Sequence, residues 1–123
     1  MDVFRAGLFK GKGAIVTGGG TGIGFRIAKD LASLGANVVI ASRKLEQCQQ
    51  AAAQLNAGLD NSSGGKVYAE RCNIRNADDI VALVRVSLEV LGRLDILVNN
   101  AGGQFLSPAE DLTPNGWASV VQV

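Results

Sequence analysis

A cluster of glycines at residues 17–24, reading Thr-Gly-Gly-Gly-Thr-Gly-Ile-Gly, constrains the fold of this chain more than any other feature. The cluster follows a short apolar run at residues 14–17, which predicts a buried strand that enters a tight turn. After the cluster, apolar residues recur at three- and four-residue spacing up to Gly35 and predict one face of a helix, namely Ile23, Ile27, Leu31 and Leu34. The glycines are therefore expected to join a strand to a helix.

The rest of the chain repeats this alternation. Further strands are predicted at residues 37–41, 66–70 and 94–98, and a polar loop at residues 56–65. Two more helices are marked by apolar positions, first Leu45, Cys48, Ala52 and Leu55, and then Ile80, Val84, Ser87 and Leu91 before Gly92. Apolar strands joined by helices are typical of an α/β fold with a doubly wound parallel sheet. We therefore expect one domain over residues 1–123.

The chemistry of the glycine loop follows from its position at the start of a helix. Free backbone N–H groups and the positive end of the helix dipole converge there, so a pyrophosphate group fits. A nucleotide-triphosphate loop is excluded because Phe25 and Arg26 follow Gly24, where that motif requires Lys and then Ser or Thr. The spacing G-x-G-x-x-G is also absent because residue 23 is isoleucine. The predicted contacts of a dinucleotide are Gly18, Gly19, Gly20, Thr21, Gly22, Ile23 and Gly24.

Two motifs together carry a family resemblance. Thr17, Gly18, Gly22 and Gly24 form the pattern T-G-x-x-x-G-x-G, and the sequence Asn-Asn-Ala-Gly at residues 99–102 follows the fourth predicted strand. From about residue 12 onward the chain resembles the short-chain dehydrogenases/reductases. The resemblance implies a Rossmann-type sheet, here of about four strands, and implies that Asn100, Ala101 and Gly102 border the cofactor. Gly13 departs from the family, which usually has an apolar residue there, so we expect a weakened start of the first strand.

The end of the second strand indicates which nicotinamide cofactor is bound. An NAD site places Asp or Glu about 20 residues beyond the loop, where the carboxylate accepts from the ribose 2′-OH. Ser42, Arg43 and Lys44 occupy that stretch instead, and the first carboxylate is Glu46. The guanidinium of Arg43 pairs with a 2′-phosphate, Ser42 adds a hydroxyl donor and Lys44 a second positive charge. The predicted cofactor is therefore NADPH.

Two residues after the third strand are assigned through the resemblance alone. The family usually has Asp followed by a small apolar residue there, in contact with adenine, and this chain has Asn73 and Ile74. Asn73 departs from Asp but still both donates to and accepts from the edge of the ring.

The residues at 102–110, with those at 24–28 and 41–44, are similar to a branch of the family that reduces fatty enoyl-CoA thioesters. That branch holds trans-2-enoyl-CoA reductases, which fit best, and 2,4-dienoyl-CoA reductases. The resemblance implies hydride transfer from NADPH to an acyl-CoA substrate that contacts Arg75, Phe105 and Thr113. Each residue also has a plainer interpretation: Arg75 is a solvated loop charge, Phe105 packs under a loop, and Thr113 is the N-cap of a helix that begins at Pro114.

The resemblance places the catalytic Asn, Ser and Tyr-x-x-x-Lys beyond Val123, so no catalytic residue is assigned within the chain. Tyr68 does not substitute for that pair, because the residue four positions later is Cys72. We expect these 123 residues to bind the cofactor without turnover, as the incomplete nucleotide-binding part of an enzyme; the alternative is a non-catalytic isoform or NADPH-binding module. We also expect the fourth strand to be an apolar open edge that is prone to pair with other chains. By resemblance, the whole protein is a homo-oligomer.

Composition excludes several other functions. The formal charge of +1 provides no basic surface for nucleic acid, and no apolar run reaches the roughly 20 residues of a membrane span. The absence of histidine excludes a Ser-His-Asp triad and any histidine-ligated metal, so no metal site is predicted. Cys48 and Cys72 are expected to be reduced and buried. These features predict a soluble intracellular protein; the resemblance suggests the peroxisome, with the cytoplasm and mitochondrion as alternatives.

Overall fold

The computed structural model describes residues 4–59, 64–100 and 113–115. Strands and helices alternate, in the order β1 (Gly13–Thr17), α1 (Gly22–Ser33), β2 (Asn37–Ser42), α2 (Leu45–Ala57), β3 (Val67–Arg71), α3 (Ala77–Leu91) and β4 (Ile96–Val98). Residues 114–115 are also helical, in agreement with the predicted helix start at Pro114. No helix in the described parts of the chain is both long enough and apolar enough to cross a membrane.

The four strands form one parallel sheet in the order β3-β2-β1-β4. β1 is central, and Thr17 at its carboxyl end is in register with Ala41 of β2. Because all four strands run the same way, the segments that follow them emerge at one edge of the sheet. The predicted α/β class with a Rossmann-type parallel sheet is therefore confirmed.

Alternate strand residues divide the core between the two faces of the sheet. Ala14 and Val16 of β1 pack with α1 and α2 on one face, whereas Ile15 packs with Leu83 of α3 on the other. The strands β1 and β2 are buried on both faces, which explains their continuous apolar sequence. The sheet is therefore doubly wound.

Gly13 is the first residue of β1, where it is buried and in register with Asn37 of β2, and its weakening effect on the strand stays a prediction. A Cβ atom on Gly13 would overlap the backbone carbonyl oxygen of Arg93, so the close approach of the segment before β4 requires glycine. The Gly13 N–H donates to Asp95 Oδ2 at 2.9 Å, and Arg93 donates to both oxygens of the same carboxylate at 2.8 and 2.7 Å. These hydrogen bonds, that from Arg93 first, lower the pKa of Asp95 to about 2.

The bounds of three strands also differ from the prediction, and the first of these, β2, ends one residue later than expected, at Ser42. β3 begins and ends one residue later than expected, and β4 contains only Ile96–Val98. Asp95 lies outside β4 although its N–H donates to the Gly13 carbonyl at 2.8 Å. The first residues of the predicted fourth strand are thus used to anchor the amino end of β1.

The predicted apolar face of α1 is partly wrong. Ile23 is 75% exposed, whereas the buried positions of the helix are Gly24, Ala28 and Ala32. These small residues lie at four-residue spacing and let the helix axis approach the sheet closely, while Ile27 and Leu31 pack at the side. The helix is therefore rotated relative to the face that the larger apolar residues predicted.

The predicted face of α3 is corrected in the same way. Leu83 and Ser87 are buried, but Ile80 and Val84 are about two-fifths exposed. Leu97 on β4 is 62% exposed and lines a surface cleft together with Ile80 and Val84. The buried Ser87 hydroxyl has no hydrogen-bond partner within the described residues.

Candidate functional site

The glycine loop turns away from β1 and rests on the end of β2. Gly18 has a φ of +68°, and its N–H donates to the Ala41 carbonyl at 2.7 Å. A Cβ atom on Gly19 would lie 2.5 Å from Cγ2 of Ile40, a side chain that is completely buried and cannot withdraw. The loop therefore packs against the sheet at a distance that only glycine permits.

The amino end of α1 is open to an anion. The helix begins at Gly22, the Thr21 side chain makes no capping hydrogen bond, and the first turn contains no acidic residue. Gly22 and Thr21 are exposed, and no acceptor within the described residues occupies the N–H groups of Gly22, Ile23 and Gly24. Free N–H groups at a helix start of this kind are suited to bind phosphate oxygens.

The second motif contacts the first directly. The Asn100 N–H donates to Thr17 Oγ1 at 3.0 Å, and Thr17 Oγ1 in turn donates to the Val98 carbonyl at 3.2 Å. The Asn100 side-chain amide donates to the Gly18 carbonyl at 3.2 Å. The end of β4 is thereby tied to the end of β1 and to the first residue of the glycine loop.

Gly24 completes this junction. A Cβ atom there would lie 2.3 Å from the Gly18 carbonyl oxygen and 2.5 Å from Nδ2 of Asn100. Both atoms belong to groups that are hydrogen-bonded to each other, so neither can move without breaking that bond. The third motif glycine is thus required by close packing of the helix on the loop.

The basic segment lies one strand away, at the end of β2. Arg43 and Lys44 are exposed, and neither forms an ion pair within the described residues. The Ser42 hydroxyl accepts from the Lys44 N–H at 3.2 Å and lies 3.1 Å from the sulfur of the fully buried Cys48. Ser42 therefore has partners inside the turn and is less available as a ligand donor than its exposure suggests.

The segment after β3 is fixed beside β2. The Cys72 N–H donates to the Ser42 carbonyl at 2.9 Å, and the Asn73 N–H donates to Asp79 Oδ2 at 3.0 Å. Arg71 pairs with the same Asp79 oxygen at 3.3 Å. Burial, and then the nearby Asp79 carboxylate, raises the pKa of the Cys72 thiol, which is a structural group here.

The structure brings together the glycine loop, Ser42–Lys44, Asn73–Ile74 and Asn100 at the carboxyl edge of the sheet. Arg75 is exposed in the turn before α3, and Thr113 is exposed; Ala101, Gly102 and Phe105 lie outside the described residues. The residues predicted from sequence to contact the cofactor omitted three supporting residues, namely Thr17, Cys48 and Asp79. Thr17 had a signal as the first residue of the glycine motif, and Asp79 had one as the third residue of a helix whose N-cap, Asn76, accepts its N–H at 3.1 Å. Cys48 had none.

Comparison with known proteins agrees with this geometry. The family model described as short chain dehydrogenase matches residues 12–123, so the chain belongs to the short-chain dehydrogenase family. The structure is similar to a short chain dehydrogenase from Mycobacterium smegmatis, with a TM-score of 0.87 and 36% identity over 98% of this chain and 49% of that one. It is also similar to the citronellol catabolism dehydrogenase of Pseudomonas aeruginosa, with a TM-score of 0.83 and 39% identity over 98% and 47%.

Two of the curated relatives that the chain resembles are described as 2,4-dienoyl-CoA reductases. The chain is 40% identical to the peroxisomal 2,4-dienoyl-CoA reductase of Danio rerio, over 98% of this chain and 39% of the relative. It is 34% identical to a probable 2,4-dienoyl-CoA reductase of Bacillus subtilis, over 91% of this chain and 42% of the relative. The chain thus spans about two-fifths of the length of these relatives.

Proposed function

We propose that residues 1–123 are the NADPH-binding part of an oxidoreductase that reduces the double bond of trans-2-enoyl-CoA. The observation that carries the choice of cofactor is the pair Arg43 and Lys44, exposed and without a carboxylate partner within the described residues. The pair lies one strand away from the open start of α1. A bound dinucleotide with its pyrophosphate at α1 would present its adenosine ribose to this pair.

The electrostatics favour a phosphorylated ribose. Cations at a helix start oppose the helix dipole unless an anion is bound there, and Lys44 is the N-cap residue of α2. A 2′-phosphate satisfies both the Arg43 fork and the dipole, whereas a free 2′-OH needs a carboxylate acceptor that this segment lacks before Glu46. We assign the remaining contacts to the glycine loop, Asn73, Ile74, Asn100, Ala101 and Gly102.

The cofactor assignment is tested by fluorescence titration of the longest natural form of the protein with NADPH and NADH. We expect Arg43→Gln to weaken NADPH binding about tenfold and to leave NADH binding nearly unchanged. Arg26→Gln is the matched control, because Arg26 is an exposed cation on α1 that already pairs with Asp30 at 3.5 Å. Equal affinity of the wild type for the two cofactors would refute the role of Arg43.

The proposed reaction uses the cofactor and the substrate in equal amounts. When bound, NADPH would supply a hydride to the β-carbon of the conjugated double bond; with a proton taken from the solvent and added to the α-carbon, the products would be the saturated acyl-CoA and NADP⁺. Of the described residues, the glycine loop and Asn100 would hold the cofactor in position. Arg75, Phe105 and Thr113 are proposed contacts of the acyl-CoA.

A second substrate is favoured by the relatives, since those from Danio rerio and Bacillus subtilis are both described as 2,4-dienoyl-CoA reductases. Oxidation of NADPH by the longest natural form, with trans-2-enoyl-CoA and with 2,4-dienoyl-CoA, separates the two proposals. Turnover of only the dienoyl substrate selects the second. Tight NADPH binding without turnover of either substrate selects a non-catalytic binding module.

Several of the same relatives are described as peroxisomal, so we propose a peroxisomal protein. That the whole protein assembles as a homo-oligomer is proposed from the family resemblance alone. Co-localisation of the tagged longest form with a peroxisomal marker, and its mass by light scattering, test these two points.

A further inference from the structure

The placement of the cofactor's purine ring follows from the order of the strands. In NADPH the 2′-phosphate and the adenine are attached to the same ribose, and the pyrophosphate joins that ribose from the other side. If the pyrophosphate binds at the end of β1 and the 2′-phosphate at Arg43 after β2, the ring would extend toward β3, the next strand, about 4.8 Å further along the sheet. The segment after β3 is held beside Ser42 through the Cys72 N–H.

Asn73 is the polar side chain at that position, and a hydrogen bond fixes the orientation of its amide group. Its Oδ1 accepts from the Arg75 N–H at 3.1 Å, and because a backbone N–H only donates, the atom that faces it is the oxygen. Its backbone N–H is anchored on Asp79 at 3.0 Å. The two N–H donors of Nδ2 have no acceptor within the described residues, and the residue is half-buried.

We propose, on the basis of the NADPH site proposed above, that Asn73 makes this site tolerant of the purine's 6-substituent. The site then accepts a 6-oxo purine, as in the hypoxanthine analogue of NADPH, nearly as well as adenine. Oδ1 has a second lone pair for the adenine amino group, and Nδ2 donates to a 6-oxo group instead. An aspartate at this position offers acceptors only, and so it opposes an oxo group.

The experiment measures the ratio of the two dissociation constants, hypoxanthine analogue over NADPH, on the longest natural form of the protein. Both nucleotides carry the same reduced nicotinamide, so one fluorescence signal reports both. We expect a ratio within about threefold for the wild type, because each ring edge finds a complementary group. Asn73→Asp is expected to raise the ratio to about tenfold or more, because two acceptors then face each other.

The matched control is Asn76→Asp, which adds the same charge three residues away. Asn76 Oδ1 accepts from the Asp79 N–H at 3.1 Å, and a carboxylate keeps that bond, so α3 remains capped. We expect the control to leave the ratio of dissociation constants at the wild-type value. An equal change in the control would show that charge, and not the group facing the ring, sets the ratio, and would overturn the inference.

The outcomes separate this inference from the proposed function. If the wild type binds neither nucleotide, the proposed function fails and the inference fails with it. If the wild type binds both but already prefers NADPH by about tenfold, only the inference fails. The wild-type ratio decides this point even if Asn73→Asp does not fold, which circular dichroism would reveal.

Discussion

Replacing Gly24 by alanine is the sharpest test of how the glycine loop is built. The new Cβ atom would lie 2.3 Å from the Gly18 carbonyl oxygen, where ordinary contacts begin at 3.4 Å, so the helix start must move by about 1 Å. Such overpacking costs about 1–3 kcal/mol, and loss of the 3.2 Å bond from Asn100 to Gly18 adds about 1 kcal/mol. The higher helix propensity of alanine offsets up to about 1 kcal/mol.

The net expectation is that Gly24→Ala lowers the free energy of unfolding by about 1–3 kcal/mol. We also expect at least about tenfold weaker NADPH binding, because the N–H groups of the first turn no longer converge on one point. Urea unfolding followed by circular dichroism measures the first quantity, and titration of the reduced nicotinamide's fluorescence measures the second.

Gly58→Ala is the matched control for this substitution. Gly58 lies at the C-terminal end of α2 with a φ of −90°, and a Cβ atom there would meet its nearest neighbour at 3.7 Å. Alanine fits without strain, so we expect unchanged or slightly higher stability, by up to about 1 kcal/mol, and unchanged cofactor binding. If Gly24→Ala behaves like this control in both measurements, the argument from close packing is refuted.

Three further predictions concern stability away from the cofactor. Asp95 has a pKa lowered to about 2 from 3.8, so its hydrogen bonds stabilise the fold above about pH 4 and are lost as the pH falls through 2. Asp95→Asn should therefore lower the unfolding midpoint, and this loss should be largest near neutral pH. A difference between the two midpoints that grows toward pH 2 would contradict this. The Asn56 side chain exchanges two 2.8 Å hydrogen bonds with the backbone of Val67, so Asn56→Asp should cost about 1–3 kcal/mol in urea unfolding; wild-type stability would disprove it. Ser87→Ala removes a buried hydroxyl that has no hydrogen-bond partner within the described residues and should raise the free energy of unfolding by about 1 kcal/mol; a loss of similar size would contradict this.

The sequence by itself determined the order of elements, the parallel sheet and the location of the glycine loop. These properties depend on local signals, namely continuous apolar runs, glycines after a strand and glycines at the end of a helix. Gly92 is an example of the last kind, and its φ of +78° is one that glycine adopts without strain. The basic pair Arg43 and Lys44 and the lack of a carboxylate at the end of β2 could also be predicted from the sequence, because they depend only on which residues stand there.

Only the tertiary structure decided which helix faces are buried and why particular glycines are needed. α1 packs through Gly24, Ala28 and Ala32, because small side chains allow closer approach to the sheet than the larger residues that dominate a hydrophobic periodicity. Gly13 is required by a carbonyl 80 residues later in the chain, and sequence spacing carries no record of such a contact. Likewise, Thr17 and Asn100 meet only because β1 and β4 are neighbours in the sheet, which places both motifs around one loop.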